Sequence, residues 1–243
     1  MSAVRTTIGI FGQGRLGAAI AQAAAAAPDL EVVWTVDGPA DPPPVDVALD
    51  ASTAAAVPAH LEWALATGSG LVIGATGWEL PDLAARVGDR IGVLTAPNFS
   101  LAVALMARLA KVLGRFAALD PELDPYLLDH HHRLKADAPS GTARRLAAAL
   151  MEGCPRKTET TSGTAAPHQL SLAVLRAGAE FGTHTVGLDG PAETLTLTHQ
   201  ARSRLVFAQG ALRAARWLKG RKGLHTFDAC AAETLDPLFG DLS

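Results

Sequence analysis

Hydrophobic and polar positions change period near residue 125, and that change divides the chain. In the first part, short apolar runs rich in β-branched residues alternate with segments whose apolar residues fall three and four apart. The run at 6–11 leads at once into Gly12-Gln13-Gly14-Arg15-Leu16-Gly17 and the alanine-rich stretch 18–27, an order that predicts strand, tight turn and helix. Further apolar runs stand at 31–36, 45–49, 71–73 and 93–95, with a helical segment at 57–66 that places Leu61 and Leu65 on one face. Strands alternating with helices predict a parallel sheet.

That pattern gives the glycines a meaning. A glycine turn between strand and helix lets backbone N–H groups approach a pyrophosphate at the helix N-terminus. Asp37 ends the next run about 20 residues further on, where an acid accepts from the adenosine ribose hydroxyls. The later runs open into Asp50-Ala51-Ser52-Thr53, Gly74-Ala75-Thr76-Gly77 and Ala96-Pro97-Asn98-Phe99. In a parallel sheet such carboxyl ends line one crevice, so a site for one dinucleotide cofactor is expected around Gly12 to Gly17, Asp37, Gly74, Ala75, Thr76 and Ala96 to Phe99. Gly38 follows Asp37 where an arginine would favour NADPH, and Asp37 repels a 2′-phosphate, so NADH is the expected donor.

The second part carries the densest polar constellation. Tyr126-Leu127-Leu128 predicts a strand that delivers Asp129, His130, His131, His132 and Lys135. Ser140 stands directly before a helical segment at 142–151, so Gly141 and Thr142 fall at a helix N-terminus with free backbone donors, a good seat for a carboxylate. Three consecutive histidines beside Asp129 also suggest a metal, but neighbouring strand residues point to opposite faces and closed metal sites use wider spacing, so no metal is expected. After a polar connection at 158–168, period 2 returns at 171–175, 184–187 and 194–198, predicting an antiparallel or mixed sheet. The last of these carries leucine on one face and threonine on the other, fit to cover a pocket or a partner subunit. A helix at 207–219, with Leu212, Arg216 and Lys219 on one face, is expected to return to the first domain. The expected division is 1–99 for dinucleotide, 100–208 for substrate and oligomerisation in a smaller α+β unit, and 209–243 as a helical return.

Composition narrows the field. With 243 residues, 49% hydrophobic and 19% charged, the chain can bury a sizeable core. Lys+Arg of 21 against Asp+Glu of 24 leaves a net charge of -3 and no basic block, which argues against nucleic acid. Cys154 and Cys230 make no disulfide framework and suggest a reducing compartment. Residues 1–7 leave no room for a secretion signal, and the longest apolar stretch, 101–113, is broken by Arg108 and Lys111. A cytoplasmic protein without a membrane segment is expected.

The stretch from Asp129 to Thr142 resembles the E-x-H-H-x-x-K-x-D-x-P-S-G-T signature of the dihydrodipicolinate (4-hydroxy-tetrahydrodipicolinate) reductase family of bacterial lysine and diaminopimelate synthesis. Gly74-Ala75-Thr76-Gly77 is similar to the family's G-T-T-G and Ala96-Pro97-Asn98-Phe99 to its A-P-N-F, while Arg176-Ala177-Gly178, His184, Glu193, His199, Arg204, Phe207-Ala208-Gln209-Gly210-Ala211 and Trp217-Leu218 are similar to its C-terminal string. The resemblance implies a Rossmann domain completed by the C-terminal helix, a mixed-sheet domain that builds a homotetramer, NADH or NADPH as hydride donor, and a small dicarboxylate substrate. It also implies His131 as catalytic acid/base, Lys135 as second proton donor, His132 and Ser140 as substrate-binding residues, and Gly141 and Thr142 as the carboxylate cradle. The chain departs from the family at Asp129 for glutamate, Ala51 for phenylalanine, Ala75 for threonine, Leu16 for methionine, and a phosphate turn one residue shorter. Another nicotinamide-dependent reductase or amino-acid dehydrogenase on the same plan, or a metal-binding sensor without turnover, are the alternatives.

Overall fold

The computed structural model describes residues 5–38 and 40–240, so the first four residues of the stretch read for a secretion signal lie outside it. Its contacts divide the chain into two units, residues 1–100 with 204–243 and residues 101–203.

The first unit begins as the apolar pattern requires, with β1 (Thr6–Phe11), α1 (Arg15–Ala25), β2 (Leu30–Val36), β3 (Val47–Asp50), α2 (Val57–Thr67), β4 (Gly70–Ile73), α3 (Leu83–Val87) and β5 (Gly92–Thr95). Alternate residues of these strands are buried on both faces. Phe11, Ala48, Leu71, Ile73 and Val93 pack with Val57, Leu61 and Trp63 of α2 and with α3. Ile8, Ile10, Val47, Leu49, Val72 and Leu94, one position out of phase, are fully buried on the opposite face. Near-continuous burial of this kind is the mark of a parallel sheet covered on both sides.

The second unit comprises α4 (Leu101–Ala117), β6 (Asp124–His131), α5 (Gly141–Gly153), β7 (Glu159–Thr161), β8 (Gln169–Arg176), β9 (Thr183–Asp189) and β10 (Thr194–Gln200). Its mixed sheet has the order β10-β9-β6-β8-β7, with β6, β8 and β7 parallel and β9 and β10 antiparallel to their neighbours. Leu127, Leu170, Leu172 and Val186 of one face pack against Met106 and Ala110 of α4 and Leu146 and Leu150 of α5. Gly114 and Gly153 let those helices touch, since a Cβ at Gly114 would lie 2.2 Å from the Leu150 carbonyl oxygen. The apolar stretch 101–113, weighed in the sequence only against a membrane span, is this amphipathic helix, and among the described residues no helix is long and apolar enough to cross a membrane. The other face presents Leu128 and Leu175, which are 44% and 52% exposed, and the threonines of β10.

The chain then returns to the first unit through α6 (Leu205–Leu218), β11 (Gly223–Thr226), α7 (Phe227–Leu235) and α8 (Pro237–Gly240). The six parallel strands take the order β11-β5-β4-β3-β1-β2. Arg216 of α6 pairs with Asp29 at 2.6 Å and Lys219 with Asp46 at 3.0 Å, so the polar residues of that helix fasten it to the first unit. The border between the two units falls before the whole of α6, at 203/204, and the returning segment supplies a strand as well as helices. The connection at 158–168 likewise contains β7.

Candidate active site

In the first unit every turn singled out in the sequence lies at a strand's carboxyl end. Gly12 follows β1 with a φ of +93°, a left-handed conformation that favours glycine. A Cβ at Gly17 would meet the Gly12 carbonyl oxygen at 1.9 Å, so the turn closes on α1 only because Gly17 lacks a side chain. Gly14 stands at the N-cap of α1 with no side-chain hydrogen bond, Arg15 opens the helix exposed, Gln13 is exposed and Leu16 half-buried. Asp37 is exposed directly after β2. Gly74 accepts the Phe99 ring in close contact, Ala96 N donates to the Ile73 carbonyl at 3.0 Å, and Thr76 and Pro97 are exposed beside them. Asn98 accepts a hydrogen bond from Ser100 N at 2.8 Å, which fixes the turn after β5. Arg204 lies at the N-cap of α6, where burial and then the charge of Arg15 lower its pKa. Two guanidinium groups within electrostatic reach of one another beside a helix N-terminus favour an anion.

In the second unit the polar cluster is organised around one carboxylate. Asp129 and His131 fall on the helix-covered face of β6, and register pairs Asp129 with His184 of β9. Asp129 Oδ2 accepts from Ser140 N at 2.7 Å and from an Arg176 guanidinium nitrogen at 2.9 Å. Its Oδ1 accepts from Ser140 Oγ at 2.9 Å and lies 3.3 Å from His184 Nε2. His131 Nδ1 stands 3.0 Å from the same Oδ1, an ion-pair distance off the line of a good hydrogen bond. Burial pushes the Asp129 carboxyl up, but the contacts with His131, His184, Arg176 and Ser140 outweigh it and hold the group far below the usual carboxylate range. A buried carboxylate so surrounded stays charged and fixes the imidazoles around it.

The signature residues divide between this interior and the rim. Ser140 is buried and caps α5, its hydroxyl accepting from Ala143 N at 3.0 Å, so that side chain turns inward to the helix and to Asp129. Gly141 is exposed and Thr142 half-buried at the first turn of α5. Lys135 Nζ pairs with Asp137 Oδ1 at 2.6 Å, and the Asp137 carboxyl also accepts from Gly141 N; burial raises the Asp137 pKa and these contacts more than offset it. His132 is half-buried, with its N–H donating to the Glu180 carbonyl at 2.8 Å. His131 lies against Gly182, where a Cβ would come within 2.8 Å of Nε2. His130 points to the other face of the strand, so the consecutive histidines do not converge. The convergent set is instead Asp129, His131 and His184, whose ligand-type atoms lie within 4.8 Å of one another, but the Arg176 guanidinium already occupies one Asp129 oxygen. Sequence reasoning gave no role to Arg176, His184 or Arg204, which it met only as members of a string; the sheet register is the signal that joins the first two to Asp129.

An open parallel sheet with a glycine turn at its crevice, carried in one chain with a mixed sheet that buries an acid–imidazole cluster, defines a dinucleotide-dependent oxidoreductase by fold and site. Residues 40–99 match the family described as dihydrodipicolinate reductase, N-terminus, and residues 99–230 match dihydrodipicolinate reductase, C-terminus. A 4-hydroxy-tetrahydrodipicolinate reductase of Myxococcus xanthus is 39% identical over 81% of this chain and 76% of its own length, and one of Gluconobacter oxydans is 39% identical over 90% and 94%. The chain belongs to the dihydrodipicolinate reductase family, and it is an oxidoreductase of lysine and diaminopimelate biosynthesis. Its fold is similar to that of a dipicolinate-bound dihydrodipicolinate reductase from Paenisporosarcina sp. TG-14, with a TM-score of 0.75 and 22% identity over 92% of this chain and 98% of the other.

Proposed function

We propose that this chain reduces 4-hydroxy-tetrahydrodipicolinate to tetrahydrodipicolinate with a nicotinamide dinucleotide, NADH in preference to NADPH, as a cytoplasmic homotetramer. One observation carries the site reading: Lys135 Nζ and Gly141 N together already hold a carboxylate, that of Asp137. A side-chain ammonium and a helix N-terminus converging on one carboxylate make a seat that a substrate carboxylate takes by displacing Asp137. The His132 carbonyl accepts from Lys135 N at 3.1 Å, Thr142 follows Gly141 in the first turn of α5, and Ser140 fixes the start of that helix through its cap and its bonds to Asp129.

The overall change consumes one hydride and one proton and releases one water, with the nicotinamide left oxidised. The dinucleotide supplies the hydride, and the glycine turn, the uncapped start of α1 and the Arg15–Arg204 pair fit its diphosphate. Hydride addition to an unsaturated ring leaves electron density that a positioned acid protonates, and His131 is held for that task by Asp129. Lys135 neutralises the carboxylate and stabilises the developing charge. Exposed Asp37, placed after β2 where the adenosine ribose is read, supports NADH. The exposed leucines and threonines on the uncovered sheet face support self-association through that face.

The test is turnover of reduced nicotinamide with substrate generated in place by the preceding synthase. Turnover that pyridine-2,6-dicarboxylate inhibits competitively with the substrate is the expected result. No turnover by a folded protein that binds NADH would overturn the substrate and leave the fold intact, and light scattering separates a tetramer from smaller assemblies.

A further inference from the structure

We infer that His60 is a positioning residue for the dinucleotide, clamping the two strand ends that frame its crevice; the inference rests on reading the first unit as the dinucleotide site. In an open parallel sheet the ligand crevice opens where the strand order reverses, and here that point lies between β1 and β3. Phe11 and Asp50 end those strands and are register partners. One imidazole, on α2, holds both. Its Nδ1 lies 2.8 Å from Asp50 Oδ2, and its ring stacks on Phe11 with centroids 3.8 Å apart and planes inclined by 10°.

The clamp extends into the loop beside the phosphate turn. The other oxygen of Asp50 accepts hydrogen bonds from Ser52 N, at 3.0 Å, and from the Ser52 hydroxyl. Ala51 N donates to the Phe11 carbonyl at 2.9 Å. A Cβ at Gly12 would meet Ala51 O at 2.7 Å and Ser52 Cα at 2.9 Å, so this loop lies in direct contact with the glycine turn. Asp50 and His60 are buried, 2% and 9% exposed, which shields their bond from water. A loop that touches the phosphate turn and is tied through Ser52 to one buried carboxylate takes part of its position from the partner of that carboxylate. Loss of the His60 N–H therefore releases the loop and, with it, the glycine turn.

Two variants separate this role from plain packing. His60→Phe keeps a ring on Phe11 and removes the donor; His60→Asn places an amide donor near the old Nδ1 position and removes the ring. NADH affinity is measured by fluorescence titration, with substrate KM, kcat and thermal midpoint alongside. The expected result is an NADH Kd raised about tenfold in His60→Phe, with substrate KM and kcat within about twofold, and recovery to within about threefold of wild type in His60→Asn. A wild-type Kd in His60→Phe overturns the inference, as does an equal loss in both variants, because restoring the donor would then fail to restore binding. Should His60→Phe not fold, Ser52→Ala carries the test, because it removes the hydroxyl bond that ties the loop to Asp50 and leaves the Asp50–His60 bond and the Ser52 N–H bond in place; a Kd raised by about threefold supports the clamp and a wild-type Kd overturns it. Failure of the wild-type protein to bind NADH would instead overturn the dinucleotide reading.

Discussion

The dinucleotide crevice and the acid–imidazole cluster are built from different materials. In the first unit the groups proposed to meet a ligand are backbone donors, and side chains serve mainly by their absence or small size, as at Gly12, Gly14, Gly17 and Gly74. In the second unit the working groups are side chains drawn from β6, β8, β9 and α5 onto one carboxylate. A backbone site tolerates exchange of one small or apolar side chain for another, which is why Leu16, Ala51 and Ala75 can depart from the family's pattern without emptying the crevice. A side-chain site has no such slack: removing one member leaves buried partners unsatisfied. Asp129 shows the limit, since it keeps the carboxylate while changing its length.

The largest effect that sharpens this contrast is expected at His131. Replacement by alanine removes the proposed proton donor and leaves the first unit untouched, so kcat should fall by roughly 10²–10⁴-fold while the NADH Kd stays within about twofold. Steady-state kinetics with a separate binding titration reads both numbers. A comparable loss in NADH affinity would break the division of labour between the units.

The next effect is one of stability. Asp129 holds its proton far less readily in the folded chain than in the unfolded one, where the ordinary value is about 3.9. Its stabilising contribution is therefore complete above about pH 4 and drains as pH falls below that, because the unfolded chain takes up a proton that the folded chain refuses. The slope for one such group is about 1.4 kcal/mol per pH unit, and Asp129→Asn abolishes it. Urea unfolding of both proteins between about pH 4 and pH 2.5 should show their stabilities converging as the acid rises; parallel lines would mean that the cluster is not held by charge. The counterpart in the crevice is Gly17→Ala, whose new methyl group meets the Gly12 carbonyl oxygen. It should weaken NADH by about tenfold and leave competition by pyridine-2,6-dicarboxylate unchanged.

The same contrast explains what could be read from the sequence. Strand, glycine turn and helix are contiguous, so β1, α1 and β2 follow from local pattern, and so do β6 and the Ser140 cap of α5. The helix α4 also announces itself, with buried residues at 103, 104, 106, 107, 110, 114 and 117 in helical spacing; only attention to its length as a membrane span obscured it. The strand β11 did not, because Gly223 to Thr226 has half its residues exposed and becomes a strand by pairing with β5, far away in the chain. The partners of Asp129 are hidden for a similar reason: Arg176 and His184 lie 47 and 55 positions on, and only the register of β6 with β8 and β9 joins them. Long-range pairing is a property of the whole sheet and leaves no local period.

Cofactor choice is where the smallest effect is expected, and it tests the proposed placement of Asp37 at the ribose. Asp37 stands exposed after β2, so its field acts through water and falls off within a Debye length of about 10 Å at 0.1 M salt. A 2′-phosphate placed beside it adds like charge, whereas a 2′-hydroxyl donates to it. Both effects favour NADH, and because the site is wet the combined preference in kcat/KM should be about tenfold or less. Asp37→Ala should narrow that ratio by raising NADPH turnover and slightly lowering that of NADH, and added salt should narrow it further in the wild type than in the variant. If the wild type instead prefers NADPH, Arg15 at the opening of α1 is the group placed to meet the extra phosphate, and Arg15→Ala would then remove the preference while Asp37→Ala left it in place.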